Sequence, residues 1–416
     1  MPQTIEVVVR LTISEEDFDV NRLERRVREA SDQAGRELLV RALESLEGMA
    51  LENHPGVARQ RRVERHLDTT LGHVVFRRWR VKAGGKTRCV LDRLLGLEPH
   101  SRASPALKKR GAELASRMTY REAAAVLSEE SGTPLSAQSV HGWVQPLGQR
   151  VEERELAVLE PSQAAPEVVV AEWDETMLRS QEEGEEKFAV KLGIGYSQKE
   201  RQGRKRWKLM DKVVYGGVEE PGSFAERFYA RVEGVLGVEQ ARHVVVKGDG
   251  AEWICQGAAQ VFPRHVFQLD RWHLLDRLAQ FAGPQPRLWK RLRTWMFEGR
   301  VKSLLRSLRL LVGVDARSEQ ARQELLGYVT RHAEAITAVD RLRRQVSPQA
   351  RSLLTHGTGA MEKNIETVIA RRFKRWGMRW TRRGAHHLLK LRVWIARCGT
   401  SWFEALHPRP TQLTDA

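Results

Sequence analysis

The sequence predicts a multidomain α/β protein, and three observations predict it. Valine-rich runs of strand type alternate with helical periods over residues 166–275. Stretches on either side, 15–52 and 276–350, place apolar residues at helical spacing among many charges. Between them the segment Leu159-Glu160-Pro161-Ser162-Gln163-Ala164-Ala165-Pro166 has the two prolines and small polar residues of a linker. A length of 416 residues fits two or three folded units.

Lys and Arg number 70 against 53 Asp and Glu, a formal charge of +17 with a pI near 10.2. That surplus is the footprint of a polyanion, because each neutralised phosphate releases condensed counterions, and nucleic acid is the leading partner. Twelve tryptophans and 41% hydrophobic residues argue for folded cores rather than a disordered basic tail. Mean hydropathy is −0.48, and the sequence has no apolar run near the ~18 residues that span a bilayer, so no membrane role is expected. MPQTIEVVVRLTISEEDF lacks the basic start and apolar core of a signal peptide, which predicts a cytoplasmic protein. Cys89, Cys255 and Cys398 are scattered, without a CxxC pair, so neither a zinc ribbon nor a disulfide scaffold is expected.

Residues 1–68 read as a helical arm, with Leu38, Leu39, Ala42, Leu43, Leu46 and Met49 on one face. Residues 69–158 read as a β-hairpin followed by a helix-turn-helix module. In the hairpin, His73-Val74-Val75-Phe76 and Cys89-Val90-Leu91 flank a turn at Lys82-Ala83-Gly84-Gly85-Lys86. Gly85-Lys86-Thr87 is not a P-loop, since Arg80 stands where the motif needs its first glycine. Thr119 and Glu122 form a capping box for one helix, Gly132 and Pro134 break the chain, and Ser136 caps a short second helix over 137–144. As a recognition helix it would offer Gln138, Ser139 and His141 to a major groove; as a packing element it would offer them to nothing.

Two valine runs end alike: Val168-Val169-Val170-Ala171-Glu172-Trp173-Asp174 and Val244-Val245-Val246-Lys247-Gly248-Asp249. Such runs suit a sheet covered on both faces, where functional groups gather beyond strand ends. If the strands are neighbours, the two carboxylates repel unless a divalent cation lies between them, and oxygen donors favour Mg²⁺ or Mn²⁺. A third carboxylate would complete a two-metal site. Glu362, in the first turn of a helix after Gly357-Thr358-Gly359, is the choice, with Glu366 one turn later as its competitor. Glu175 follows Asp174 directly, and only one of the two can face a given site on an extended strand.

A resemblance now becomes specific. Thr70-Leu71-Gly72-His73-Val74-Val75-Phe76-Arg77-Arg78, Tyr120-Arg121-Glu122-Ala123-Ala124, Ala171-Glu172-Trp173-Asp174-Glu175, Gly248-Asp249-Gly250-Ala251-Glu252-Trp253-Ile254, Leu269-Asp270-Arg271-Trp272-His273-Leu274 and Arg375-Trp376-Gly377-Met378-Arg379-Trp380 stand in an order and spacing similar to the ISLre2-type insertion-sequence transposases, the UPF0236 family. The resemblance spans about residues 65–395. It implies an RNase H-like catalytic domain carrying a DDE triad, Asp174, Asp249 and Glu362, as metal ligands, with a helical insertion before the glutamate. Asp270 and His273 resemble an Asp-x-x-His element of related transposases. Ligation by His273 is the lesser reading, because imidazole is a poorer Mg²⁺ ligand than carboxylate.

The domains expected are then 166–275 for the first part of the RNase H-like domain, 276–355 for the insertion, and 356–400 for its final helix and a basic C-terminal segment. In that segment Arg371, Arg372, Arg375, Arg379, Arg382 and Arg383 are expected to hold DNA backbone, since guanidinium groups clamp phosphates in pairs of hydrogen bonds. Trp376 and Trp380 are interleaved, with helical packing and base stacking as rival roles. Lys290, Arg291, Arg293, Arg300, Lys302, Arg306 and Arg309 would extend the surface. The resemblance thus implies Mg²⁺- or Mn²⁺-dependent cleavage and strand transfer at terminal inverted repeats, then into target DNA, by a homo-oligomer assembled on DNA in a bacterial cytosol. The alternative is a degenerate or domesticated transposase that only binds DNA.

Overall fold

The computed structural model describes residues 3–52, 58–83, 86–157, 162, 164–204, 207–311 and 316–407. Half of the expected linker, and the Gly84-Gly85 turn, lie outside them. The chain is mixed α/β and divides into two units, Met1–Leu147 with Cys398–Ala416, and Gly148–Arg397.

In the first unit a long helix, α1 (Val20–Glu52), packs on a three-stranded antiparallel sheet of β1 (Ala58–Thr69), β2 (Gly72–Ala83) and β3 (Lys86–Arg88). The main hairpin is β1–β2, closed at Thr70-Leu71, where Gly72 takes φ +112° and the Thr69 hydroxyl donates to the Gly72 carbonyl at 2.8 Å. Residue 68 therefore lies inside a strand. The expected strand Cys89-Val90-Leu91 is instead the start of a helix, α2 (Val90–Leu94), because Leu91 buries with Leu43, Leu67, Val74 and Phe76 in the unit's core.

Three helices follow. α3 (Pro105–Ala115) is capped by Ser104 with Pro105 at its first position. α4 (Tyr120–Ser131) begins at the Thr119–Glu122 capping box and ends at Gly132, φ +63°. α5 (Ala137–Leu156) is not the short helix expected, since it continues through Pro146 across the boundary between the units. A last short helix, Trp402–Leu406, returns to this unit, where the Trp402 indole donates to Glu113 at 2.9 Å.

The second unit is built on a mixed sheet. Its strands in chain order are β4 (Val168–Ser180), β5 (Lys187–Tyr196), β6 (Gln198–Arg201), β7 (Trp207–Met210), β8 (Val213–Gly217), β9 (His243–Gly248) and β10 (His265–Leu269). The expected strand 207–215 is thus two, parted at Asp211, φ +51°. β6 and β7 pair apart, and the main sheet runs β10-β9-β4-β5-β8. β5 is antiparallel to β4 and β8; β4, β9 and β10 are mutually parallel. α6 (Pro221–Leu236) and α7 (Glu252–Val261) bury Phe224, Phe228, Val232 and Ile254 against Trp173 and the valines of β4 and β9. Gly193 and Gly195 permit that approach, because a Cβ there would meet Phe228 at 2.6 Å and Val232 at 2.9 Å.

A helical block follows: α8 (Arg271–Ala282), α9 (Pro286–Phe297), α10 (Val301–Leu310), α11 (Ala316–Arg331), α12 (Ala338–Leu342) and α13 (Pro348–Arg351). The first four share a core of Leu274, Leu278, Leu292, Met296, Leu304, Leu308, Leu325 and Val329. The chain then returns to the sheet in α14 (Gly359–Asn364), a π-helical segment Ile365–Ala370 and α15 (Arg371–Phe373). A two-residue strand, β11 (Arg379–Trp380), pairs with the far end of β4, and α16 (Arg382–Cys398) closes the unit.

Candidate active site

The parallel register of β4 and β9 sets Glu172 opposite Lys247. Two residues on, Asp174 continues in β4 while Asp249 lies one residue past the end of β9, and the Asp249 charge reaches Asp174. Both are half-buried. Burial, and then the Asp249 charge, push the Asp174 carboxyl up to about 6, while the Glu175 N–H and nearby His273 pull it down. The charges of His273 and Asp270 act on Asp174, those of Lys191 on Glu175, and that of Asp249 on both.

Two glycines shape the turn that carries Asp249. A Cβ on Gly248 would meet Ile254 at 2.9 Å, and Gly250 has φ +83° with His332 and Leu269 at 2.8 and 2.9 Å from a Cβ position. Asp249 Oδ1 accepts the Ala251 N–H at 2.9 Å, and its backbone carbonyl accepts the Tyr328 hydroxyl at 2.5 Å. Tyr328 belongs to α11, so the helical block braces the aspartate turn.

Asp270 is fully buried and caps α8. Its Oδ1 accepts the Trp272 N–H at 2.9 Å; its Oδ2 accepts His273 Nδ1–H at 2.9 Å and the Thr358 hydroxyl. Burial alone would raise this carboxyl, but the donors from His273, Thr358 and Trp272 hold it below the usual range. His273 in turn is raised, first by its hydrogen bond to Asp270. The structure joins Asp270 to His273 by a hydrogen bond and brings His273 within electrostatic reach of Asp174 and Asp249. Trp272, between them, is 63% exposed.

A buried polar network was not foreseen. Tyr196 OH donates to Glu172 Oε1 at 2.6 Å, and Lys247 Nζ lies 3.4 Å from the same oxygen. Lys247 also donates to Thr355 Oγ1 at 3.0 Å and the Leu353 carbonyl at 3.3 Å. Glu172 Oε2 accepts the backbone N–H of Met361, in the first turn of α14, at 3.0 Å. Glu172 and Thr358–Asp270 therefore fasten the helix that carries Glu362 to the strands that carry the aspartates. A glutamate and a lysine midway along valine runs were the available signal, since a charge there must be paired.

Glu362 itself is exposed, with no carboxylate partner among the described residues. Glu366 is also exposed, lies in the π-helical segment and pairs with Arg371 at 3.2 Å. Among the described residues, one group of three ligand types has its atoms within 4.8 Å of one another, and it is Glu152, Glu219 and His386. That group is an ion-pair network: Lys390 lies 3.1 Å and Arg227 3.3 Å from Glu219, and His386 Nδ1 accepts the Val218 N–H, leaving its other nitrogen protonated toward Glu152.

The basic segment needs correction. Arg372 is buried, its guanidinium 5.0 Å from the Trp380 ring centroid, and does not present itself to a ligand. Trp380 is buried too and donates to the Phe373 carbonyl, so it packs rather than stacks on a base. The Trp376 side chain lies outside the described residues. Arg371, Arg375, Arg379, Arg382 and Arg383 are exposed, although Arg382 pairs with Glu185. Lys290, Arg291, Arg293, Arg300, Lys302, Arg306 and Arg309 are exposed on α9, α10 and the turn between them. In the first unit Gln138 is exposed, Ser139 bonds to the Ser136 cap at 2.9 Å, and His141 sets its ring edge-on to Tyr120.

Fold and site define a mixed α/β protein with one aspartate inside β4 and another just past the end of its parallel neighbour β9. The profile of UPF0236, described as an uncharacterised protein family, matches residues 13–405, and the chain belongs to that family. It is 23% identical over 391 residues to the UPF0236 protein TTE2489 of Caldanaerobacter subterraneus subsp. tengcongensis, covering 92% of this chain and 80% of that one. It is 26% identical over 342 residues to the UPF0236 protein in vanSb 3'region of Streptococcus gallolyticus, covering 79% and 71%. A further Caldanaerobacter relative, 22% identical with 92% and 79% covered, bears a name joining eleven designations from TTE0033 to TTE2212. Among solved structures, a Drosophila P element transposase strand transfer complex is similar over 74% of this chain and 95% of that chain, with 10% identity and a TM-score of 0.27, too low to carry an argument. No helix among the described residues is long and apolar enough to cross a membrane.

Proposed function

We propose that this protein is a DNA transposase that cuts and joins strands at the ends of an insertion sequence, with Asp174, Asp249 and Glu362 as its carboxylate triad. The observation that carries the reading is that the parallel pair β4–β9 brings Asp249, just past the end of β9, near enough to Asp174 for its charge to act there. The sheet supports it further: three antiparallel strands, then two parallel strands added beyond the first, is the connectivity of an RNase H-like sheet. A relative whose name joins eleven designations from one organism is what a mobile element in many copies would leave.

The donor set fits a hard divalent cation, Mg²⁺ or Mn²⁺, because two half-buried carboxylates repel each other there. Such a cation would supply Lewis-acid stabilisation of charge on the attacked phosphate. Asp174 and Asp249 would hold it, and Glu362 would complete the set from the helix that Glu172 and Thr358 position. Asp270 keeps His273 in one tautomer with its Nε2 as the free polar atom. No serine or tyrosine is needed as a covalent nucleophile, since water and then a 3′ hydroxyl attack in line. DNA is the partner, with Arg371, Arg375, Arg379, Arg382 and Arg383 on backbone phosphate and Gln138 toward base edges. A homo-oligomer on DNA and a cytosolic setting belong to the same reading.

The second reading, a DNA-binding protein without catalysis, is favoured by the exposed Glu362, whose carboxylate has no partner among the described residues. A nicking assay on terminal-repeat DNA with Mg²⁺ or Mn²⁺ separates them. Cleavage that Asp249→Asn abolishes while DNA binding persists supports the enzyme; no cleavage by the unaltered protein, or cleavage retained in the variant, ends it.

A further inference from the structure

In the first unit the hairpin β1–β2 extends past the end of the core it covers. One face of it runs through the rungs Leu67–Val74, Arg65–Phe76 and Val63–Arg78 to Arg61 opposite Arg80, and Lys82 follows one step further out on that face. Leu67, Val74, Arg65 and Phe76 are buried, whereas Arg61, Arg80 and Lys82 are exposed. A bulge at Gln60 shifts the register, so that Arg59 stands beside Val81 on one side and Arg88 of β3 on the other. Arg59 and Arg88 are exposed on the second face, as is Arg62, whose guanidinium lies 5.8 Å from the Trp79 ring centroid.

Like charges directly opposite each other destabilise a sheet, and Arg61–Arg80 is such a rung. The acids nearby are engaged elsewhere: Glu64 lies 3.2 Å from Arg77, and Asp92 lies 3.2 Å from Arg78. Among the described residues, no carboxylate stands within ion-pair distance of Arg59, Arg61, Arg80, Lys82 or Arg88. Charge on an edge strand also blunts pairing between sheet edges. That task needs a cation on β1 alone, whereas here cations stand on all three strands and on both faces.

We propose that the open end of this hairpin enters the major groove of duplex DNA and grips backbone phosphate from both faces. The groove, about 12 Å wide, admits a β-ribbon, and β3 adds only three residues to this one. A phosphate row borders the groove on each side, which matches cations on two faces. A lipid surface or a flat acidic protein would meet the sheet from one side and leave the cations of the other face in water. Guanidinium groups take phosphate oxygens in pairs, and such contacts position a duplex without reading its sequence. The proposal rests on DNA as the partner in the reading above, and not on its carboxylate chemistry.

The test is fluorescence anisotropy of the full chain on a labelled duplex of arbitrary sequence, in EDTA, at several NaCl concentrations. EDTA removes metal-dependent cleavage, so a protein that fails to nick DNA can still pass here, and a failure here leaves the nicking assay standing. Arg61→Gln with Arg80→Gln should weaken binding about tenfold or more at about 0.1 M salt and flatten the slope of log affinity against log salt by about two units. Arg59→Gln with Arg88→Gln, on the other face, should do the same. Arg61→Lys with Arg80→Lys should restore the slope, since lysine still neutralises phosphate as a point charge. Thermal midpoints of the glutamine variants should equal or exceed that of the unaltered protein, because a rung of like charge is relieved. A slope that neither pair alters, or that one face alone alters, overturns the groove site. A lowered midpoint would assign these arginines to the hairpin's own stability and overturn it as well.

Discussion

Glu172 Oε2 accepts the backbone N–H of Met361 across 189 residues of chain, joining β4 to the first turn of the helix that bears Glu362. The other oxygen of the same carboxylate serves Tyr196 and Lys247. Replacing Glu172 by Ala should cost about 3–5 kcal/mol, because it strands the fully buried Lys247 ammonium. Glu172→Met with Lys247→Met should recover part of that loss. Urea melts of the single and double variants measure the coupling, and additive losses would show that the pair is not a unit.

Asp174 gives the metal-free protein a signed pH dependence. Its carboxyl titrates near 6 when folded against 3.8 as a free group. Through that interval the folded chain keeps a proton the unfolded chain loses, so stability falls as pH rises and the penalty is complete above about 6. Asp174→Asn should therefore be more stable than the unaltered protein by about 1–3 kcal/mol at pH 7.5, and by less at pH 4.5. Chemical denaturation at the two values decides it; an advantage that grows on acidification would reverse the sign.

Gly250→Ala should destabilise by about 1–3 kcal/mol, since φ +83° is costly for any residue with a Cβ and His332 stands in the way. The damage should concentrate on the Asp249 turn. Faster amide exchange at residues 249–251, with β4 protected as before, is the expected pattern, and uniform loss of protection across the sheet would count against it.

Trp272 presents an open indole beside His273 and Asp270. On a duplex with a frayed or single-stranded end, Trp272→Ala should lose about 1–3 kcal/mol of binding, while Trp272→Phe keeps most of it. Blunt duplex should be indifferent to both changes. Equal losses on the two DNAs would remove the stacking role.

Base reading and backbone grip should fail differently. Gln138→Ala should relax sequence preference by about 1–3 kcal/mol at one base position. Arg375→Ala and Arg379→Ala should weaken all DNA alike and flatten the salt dependence by about one unit each. Arg372→Ala should instead lower stability and leave the salt slope unchanged, since that guanidinium is spent on Trp380. Titrations on terminal-repeat and scrambled duplexes at several salt concentrations check all four.

The legible parts of the chain were those where one interaction dominates. Valine runs ending in Asp174 and Asp249 read as strands because a sheet buried on both faces leaves few other residues for them. The Thr119 capping box and the Gly132 stop read correctly because caps are local. β1 was missed, since Ala58-Arg59-Gln60-Arg61-Arg62 has no apolar alternation and is held only by pairing with β2. Cys89-Val90-Leu91 read as strand because three residues carry no period, and tertiary packing of Leu91 chose helix. Glu172 and Lys247 carry a signal in their place midway along valine runs but not the identity of their partners, and Arg372 reads as surface because its packing on Trp380 is set by the fold.

The π-helical segment Ile365–Ala370 lies between Glu362 and the Arg372–Trp380 packing. An α-helix advances about 100° per residue, and a π turn accommodates one residue more than an α turn. Arg392 holds the Thr367 and Val368 carbonyls inside that wider turn. Losing one residue here would let the ladder close as α-helix while Glu362 kept nearly its present phase, because the wider turn already absorbs the extra residue. The π turn is therefore slack in the helix: it carries one residue to spare, so the aim of Glu362 is buffered against a change of length at this point.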